Sequence, residues 1–200
     1  MASKGCEVAK KYSEFIKSIL KVSLDNNKEL GVIFCKKEKG SEVIPAMTSI
    51  GTESMVAVPS CPAGAESVGM LHTHVDLDFF SAIDYLTFAA KDDDFSCIAY
   101  YGDDGEPYVK CIHRPKNIGE WIKKLNELEQ LEYEASHAYE LYQVAMANVL
   151  SAIEEEGEVP EGKSELVKVF RERLSDYNDK FEKLRKKAIE LETDACVVKL

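Results

Sequence analysis

Gly69-Met70-Leu71-His72-Thr73-His74-Val75-Asp76-Leu77-Asp78-Phe79-Phe80-Ser81-Ala82-Ile83-Asp84 is the stretch whose reading organises the whole 200-residue chain. Val68–His74 is an apolar, β-type run. His72 and His74, two apart, therefore leave the same face of a strand. Ser81–Ala90 reads as a helix that opens on an N-cap serine. Ser81 and Asp84, three apart, share the face of its first turn. The loop between is short enough for that turn to face the strand end. Asp76 and Asp78 read as solvated loop acids, either of which would stand in for Asp84 if the helix were displaced.

Two imidazoles and one carboxylate are three of the four ligands of a zinc ion. The fourth position stays open for water, which is the catalytic pattern rather than the structural one. Zinc lowers the pKa of such a water toward neutrality and polarises the carbonyl to be attacked. The chemistry also needs a base. Glu29 stands just before the run Gly31–Cys35, in phase with Gly31 and Ile33, where a carboxylate could take the proton of water and return it to a leaving amine. Ser81 could hydrogen-bond the oxyanion. No Gly-x-Ser-x-Gly elbow surrounds Ser81, which argues against a nucleophilic role.

Outward from this core, residues 6–24 carry Val8, Tyr12, Phe15, Ile16, Ile19 and Leu20 at helical spacing, and Asp25-Asn26-Asn27 ends the pattern. Short β-type runs follow at Gly31–Cys35, Val43–Ile50 and Met55–Pro59, punctuated by Gly40, Gly51 and the Pro59–Gly64 stretch. Ser96–Tyr101 and Tyr108–His113 flank Asp103-Asp104-Gly105-Glu106, a hairpin signal. Residues 1–116 are thus expected to form one α/β (α+β) domain on a mixed sheet. After Pro115 the texture changes. An apolar seam runs Ile118, Trp121, Leu125, Leu128, Ala135, Tyr139, Tyr142, Met146, Val149, Ile153, broken only by Glu132. A second runs Val167, Phe170, Leu174, Tyr177, Phe181, Leu184, Ala188, Leu191. Residues 117–200 are expected to be an antiparallel helical hairpin with coiled-coil packing, its first helix roughly 55 Å long.

The connection Gly157-Glu-Val-Pro-Glu-Gly162-Lys163-Ser164 matches the P-loop pattern letter for letter, yet no nucleotide is expected there. A helix rather than a strand precedes it, and Glu154, Glu155, Glu156, Glu158 and Glu161 would repel a triphosphate. Gly157 as helix end, Pro160 and Gly162 as turn, and Ser164 as cap explain every letter. His113 and His137 read as structural or exposed.

The formal charge is -11, with 36 acidic against 25 basic residues. It excludes generic binding to nucleic acid. By segment it is -4 for residues 1–116, -8 for 117–160 and +1 for 161–200. The acidity belongs to the first long helix, which is expected to pair with a more basic helix or partner. No run suits a membrane span and Met1–Gly5 opens no signal region, so a soluble, cytoplasmic protein is expected. Cys6, Cys35, Cys61, Cys97, Cys111 and Cys196 are scattered. Cys35, Cys97 and Cys111 sit in apolar runs as small core residues, and the spacing does not tell whether any of the six pair.

Glu29, His72-Thr73-His74 and Ser81-x-x-Asp84 together resemble the JAMM (MPN-plus) metalloprotease family. Its signature is a Glu at the first strand, His-x-His-Pro, then Ser-x-x-Asp on the next helix. The resemblance covers about residues 5–116 in element order and implies the MPN, cytidine-deaminase-like fold. It implies one zinc per chain on His72, His74 and Asp84, Glu29 as general acid/base, and Ser81 as transition-state support. Members hydrolyse isopeptide bonds to ubiquitin or ubiquitin-like modifiers. The short chain looks like an archaeal or bacterial version, and its trailing helices are similar to those of the proteasome-lid deubiquitinase. That similarity implies a hairpin partner, either a proteasome-like assembly or a second copy. The chain departs from the pattern in three places: Val75 replaces the proline, six residues rather than seven separate His74 from Ser81, and one rather than two separate Glu29 from Gly31. Glu42 and Glu53 are the substitutes for Glu29. Two further readings stay open: a zinc amidase that trims a sulfur-carrier-like protein or small peptide, and a non-catalytic scaffold that recruits partners through its hairpin.

Overall fold

The computed structural model describes residues 3–37, 42–114, 117–156, 164–192 and 194–200. The chain forms two compact units, one of Met1–Trp121 with Leu191–Leu200 and the other of Ile122–Glu190. In order the elements are α1 (Lys4–Lys11), α2 (Ser13–Asn26), β1 (Leu30–Lys36), β2 (Ile44–Ile50), β3 (Glu66–Thr73), α3 (Ala82–Ala90), β4 (Phe95–Tyr101), β5 (Pro107–His113), α4 (Ile118–Glu156), α5 (Ser164–Leu191) and β6 (Cys196–Lys199).

The first unit is built on a six-stranded mixed sheet of order β2-β1-β3-β4-β5-β6. Every neighbouring pair is antiparallel except β3 and β4. That parallel pair is joined through α3, as parallel strands require a crossover. β1 and β4 are buried along nearly their whole length, which explains why they read as continuous apolar runs rather than alternating ones. On one face, Val8 and Ala9 of α1 and Ile16 and Leu20 of α2 join Val32, Phe34, Leu71, Phe95 and Val109 in a single core cluster. On α3, Tyr85 and Phe88 meet the edge of Trp121, with ring centroids 5.2 and 6.2 Å away.

Three expectations are corrected. The helix read over 6–24 is two helices. Tyr12 leaves helical geometry to send its hydroxyl to the Val43 carbonyl (2.7 Å), a tertiary contact that outweighs local propensity. Asn27, at φ 49°, closes α2 in the left-handed conformation, as the Asp-Asn-Asn signal predicts. Met55–Pro59 is not a strand. A Cβ on Gly51 would lie 2.1 Å from the Met55 carbonyl oxygen, so glycine lets the chain fold back on itself there and leave the ladder. The domain boundary also moves. Residues 191–200 belong to the first unit, where β6 pairs with β5, so the hairpin is an insertion into the sheet domain rather than its tail.

The cysteine pairing that the spacing left open is given by the structure. All six are bonded, as Cys6–Cys196, Cys35–Cys61 and Cys97–Cys111. Cys97 and Cys111 are register partners across β4 and β5. Cys6 meets Cys196 because α1 packs close over the β5–β6 edge, where a Cβ on Gly5 would sit 2.8 Å from that of Cys111. Disulfides persist in oxidising compartments and are rare in the cytosol of mesophiles, so the three bonds do not support the cytoplasmic expectation. No helix among the described residues is long and apolar enough to cross a membrane.

In the second unit, α4 and α5 run antiparallel. The Tyr139 ring packs tilted against that of Tyr177 (centroids 5.2 Å apart) and the Tyr142 ring against that of Phe170 (5.6 Å), and Lys187 is paired with Glu127. From Trp121 to Ala135 the α4 seam is as expected, with Trp121, Leu125, Leu128 and Ala135 buried. Beyond it the buried positions are Ala138, Ala145 and Ala152, one residue before the expected Tyr139, Met146 and Ile153. Ala138, Ala145 and Ala152 keep the seven-residue spacing of Trp121, Leu128 and Ala135, so the buried seam continues three residues past Ala135 rather than four. The P-loop-like turn at 157–163 lies outside the described residues, as do Gly40 and Pro115.

Candidate metal centre

β3 ends in Leu71-His72-Thr73, and its alternation sends Leu71 into the core beneath α1 and α2 while His72 faces the other way. His74 follows just past the strand on the His72 side, its N–H bonded to the Ala99 carbonyl (2.8 Å). The two imidazoles, both about 95% buried, bring their Nε2 atoms to 2.9 Å of each other. Asp84 reaches the same point from the first turn of α3, with Oδ1 3.1 Å from His72 Nε2 and Oδ2 3.5 Å from His74 Nε2. Ser81 caps α3 and holds Asp84 in this pose. Its backbone N–H and its hydroxyl donate to Asp84 Oδ2 (2.8 and 2.7 Å), and its oxygen accepts from the Asp84 N–H. Burial pushes the Asp84 carboxyl up, but the charge and hydrogen bonds of His72 and His74 outweigh it and hold the group well below the carboxylate range. The acid that meets the imidazoles is Asp84. Asp76 lines the cavity, and the Asp78 carbonyl accepts from Lys110.

Three ligand atoms of His72, His74 and Asp84 lie within 4.8 Å of one another. Two neutral nitrogens and one carboxylate oxygen converging in a buried pocket form the donor set of a divalent cation such as zinc. His72 Nε2 and His74 Nε2 are the nitrogens that converge, while His74 Nδ1 is buried with no hydrogen-bond partner among the described residues and so lacks the outer partner that ordinarily orients a metal-binding imidazole.

A scan of protein-family profiles matches none to this chain, and a search of curated proteins finds no match either.

Glu29 lines the same cavity, of about 520 Å³, and is 8% exposed. Burial pushes its carboxyl up to about 7; the charge of Asp84 acts in the same direction and that of His74 against it. Glu42, by contrast, pairs with Lys11, and Glu53 sits on the cavity wall. The raised value has a stability signature. In the metal-free protein, Glu29 favours the folded state fully below about pH 4.5, and that contribution is lost as pH rises through about 7. Glu29→Gln is therefore expected to match wild type in urea melts at acid pH and to exceed it by on the order of 2–3 kcal/mol above pH 7. Equal stability at both ends would show that Glu29 is not held neutral.

The sequence reading missed what fixes Glu29. Ser23, on α2, donates to the Lys28 carbonyl (2.6 Å), so its contact with Thr73 (2.6 Å) must be a bond that Thr73 donates. Thr73 Oγ1 in turn accepts from the Leu30 N–H (2.8 Å). This chain grips the backbone on both sides of Glu29 and ties it to the strand carrying the histidines. Thr73, wholly buried, is the hinge of the arrangement. Thr73→Val is expected to cost about 2–4 kcal/mol in urea denaturation by stranding the Leu30 N–H and the Ser23 oxygen, whereas Thr73→Ser costs about 1 or less. Equal losses would assign the effect to packing. Nothing local marks this threonine, since its partners lie on two other elements.

Proposed function

We propose that this chain is a zinc-dependent isopeptidase of the JAMM (MPN-plus) type, cleaving the bond between a ubiquitin or ubiquitin-like modifier and its target. One observation carries the reading: a neutral-leaning buried carboxyl, Glu29, beside the converged His72, His74 and Asp84. His72, His74 and Asp84 would hold the metal. When bound, zinc supplies Lewis acidity, sharpening water as a nucleophile and polarising the amide carbonyl.

The chain's own residues do the rest. Lining the same cavity as His72, His74 and Asp84, the Glu29 carboxylate can take a proton from the attacking water and deliver it to the leaving amine. The Ser23–Thr73 pair keeps that carboxyl in place. Ser81 fixes the rotamer of Asp84, and rotation of its hydroxyl about one bond would let it donate to the developing oxyanion instead. A scaffold has no use for a buried carboxyl whose ionisation costs stability at neutral pH, which favours the catalytic reading over the non-catalytic one.

The test is cleavage of a ubiquitin-like conjugate with and without a zinc chelator, beside Glu29→Gln. Cleavage is expected to stop on chelation, return with zinc, and fall about 10²–10⁴-fold in the variant. Chelator-insensitive cleavage would sink the mechanism. Zinc binding with cleavage of short peptide amides alone would favour the amidase.

A further inference from the structure

The cavity continues away from the histidines. Met70 pairs with Ser96 across β3 and β4, and both line it two residues, or about 7 Å, along the strand from His72. The Ser96 side chain is fully buried, and its hydroxyl has no hydrogen-bond partner. A buried hydroxyl left so is costly unless a ligand satisfies it. On α3, Asp84, Thr87 and Lys91 recur at three and four residues, so one helix face presents all three to the cavity. Lys91, the C-cap, lies about 10 Å along the helix from Asp84.

Lys91 is the one basic side chain lining this cavity among the described residues, and its other charged lining residues are Glu29, Glu53, Asp76 and Asp84. Three aspartates follow it directly, yet each is engaged elsewhere. Asp92 binds Arg114, Asp94 pairs with Lys4, and Asp93 accepts from Ser67 through Oδ1 while its buried Oδ2 has no partner among the described residues. Among the described residues no carboxylate is paired with Lys91. An ammonium and two hydroxyls lining one concave site are the chemistry that binds a carboxylate.

We propose that Lys91, Ser96 and Thr87 form a subsite for a carboxylate that the substrate carries roughly 7–10 Å from its scissile carbonyl. The substrate's identity rests on the isopeptidase reading; the subsite's affinity does not. The carboxylate belongs to an acidic side chain, on either the acyl half or the amine half of the isopeptide.

Glutarate titrated calorimetrically into the full chain freed of metal, against neutral glutaramide, tests the subsite directly. Saturable binding of glutarate alone is expected, weakened about 10- to 100-fold in Lys91→Gln and by a smaller factor in Ser96→Ala. No saturable binding, equal binding of glutaramide, or indifference to Lys91→Gln overturns it. Zinc-loaded protein is then given isopeptides with Glu or Gln on each half. A kcat/KM preference for Glu on one half, lost in Lys91→Gln, is expected and identifies the source. Equal rates on all four would overturn the substrate carboxylate. Glutarate binding with no isopeptide cleaved would overturn the isopeptidase reading and leave the subsite standing.

Discussion

Asp84→Asn is expected to leave the fold standing and to remove metal binding. The amide keeps the shape and can still accept from the Ser81 N–H, so α3 retains its cap. It cannot supply the negative charge that two buried imidazoles and a divalent cation require. Zinc should raise the melting temperature of wild type by mass action and leave that of the variant unmoved. Affinity should fall by at least about 10²-fold, a loss on the scale reported for disturbing a metal ligand's surroundings alone. Metal content after dialysis against a limiting chelator measures it. Asp76→Asn is the control, since Asp76 lines the cavity without meeting the imidazoles. Undiminished zinc in Asp84→Asn would mean that the ligand set is wrong.

The second large effect lies in the disulfides. Cys6–Cys196 closes a loop of 190 residues, so chain entropy assigns it about 5 kcal/mol, against about 3 for Cys97–Cys111 with its separation of 14. The clean variant replaces both Cys6 and Cys196 by serine. A single replacement would leave a free thiol within 4.8 Å of Cys111, open to exchange with the neighbouring bond. Guanidinium denaturation of the double variant should show a loss near that size without loss of the sheet. A change under about 1 kcal/mol would show that α1 and β6 are held together by packing instead.

Legibility in the sequence followed the range of each interaction. The convergence of His72, His74 and Asp84 was readable because His72 and His74 share a strand face and Ser81 and Asp84 share a helical turn, both short-period patterns. The hairpin signal at Asp103–Glu106 and the two long helices were readable for the same reason. The break at Tyr12 was not, because Val43 and Phe34 cause it from another part of the chain. The excursion at 55–59 was not, since Met55, Val56 and Val58 carry strand composition into a segment that β2 has already turned away from. β6 was hidden as four residues after a long helix. The disulfides were hidden because pairing at a separation of 190 is a property of the finished fold. The candidate site is therefore legible in its ligands and illegible in its supports.

One of those supports sits far along the chain. The Phe80 N–H, next to Ser81, donates to Glu192 (2.9 Å), and Lys110 bonds both Glu192 (2.6 Å) and the Asp78 carbonyl. Glu192 lies just past α5, beyond the whole inserted hairpin. During synthesis, the ligands His72, His74 and Asp84 therefore emerge long before the residue that steadies the loop between them. Strand β6 and Cys196 follow Glu192 off the ribosome. A nascent chain halted within the hairpin would carry the complete ligand set, with its loop unbraced and its sheet missing an edge. The order of translation thus keeps the centre unfinished until the hairpin has been made.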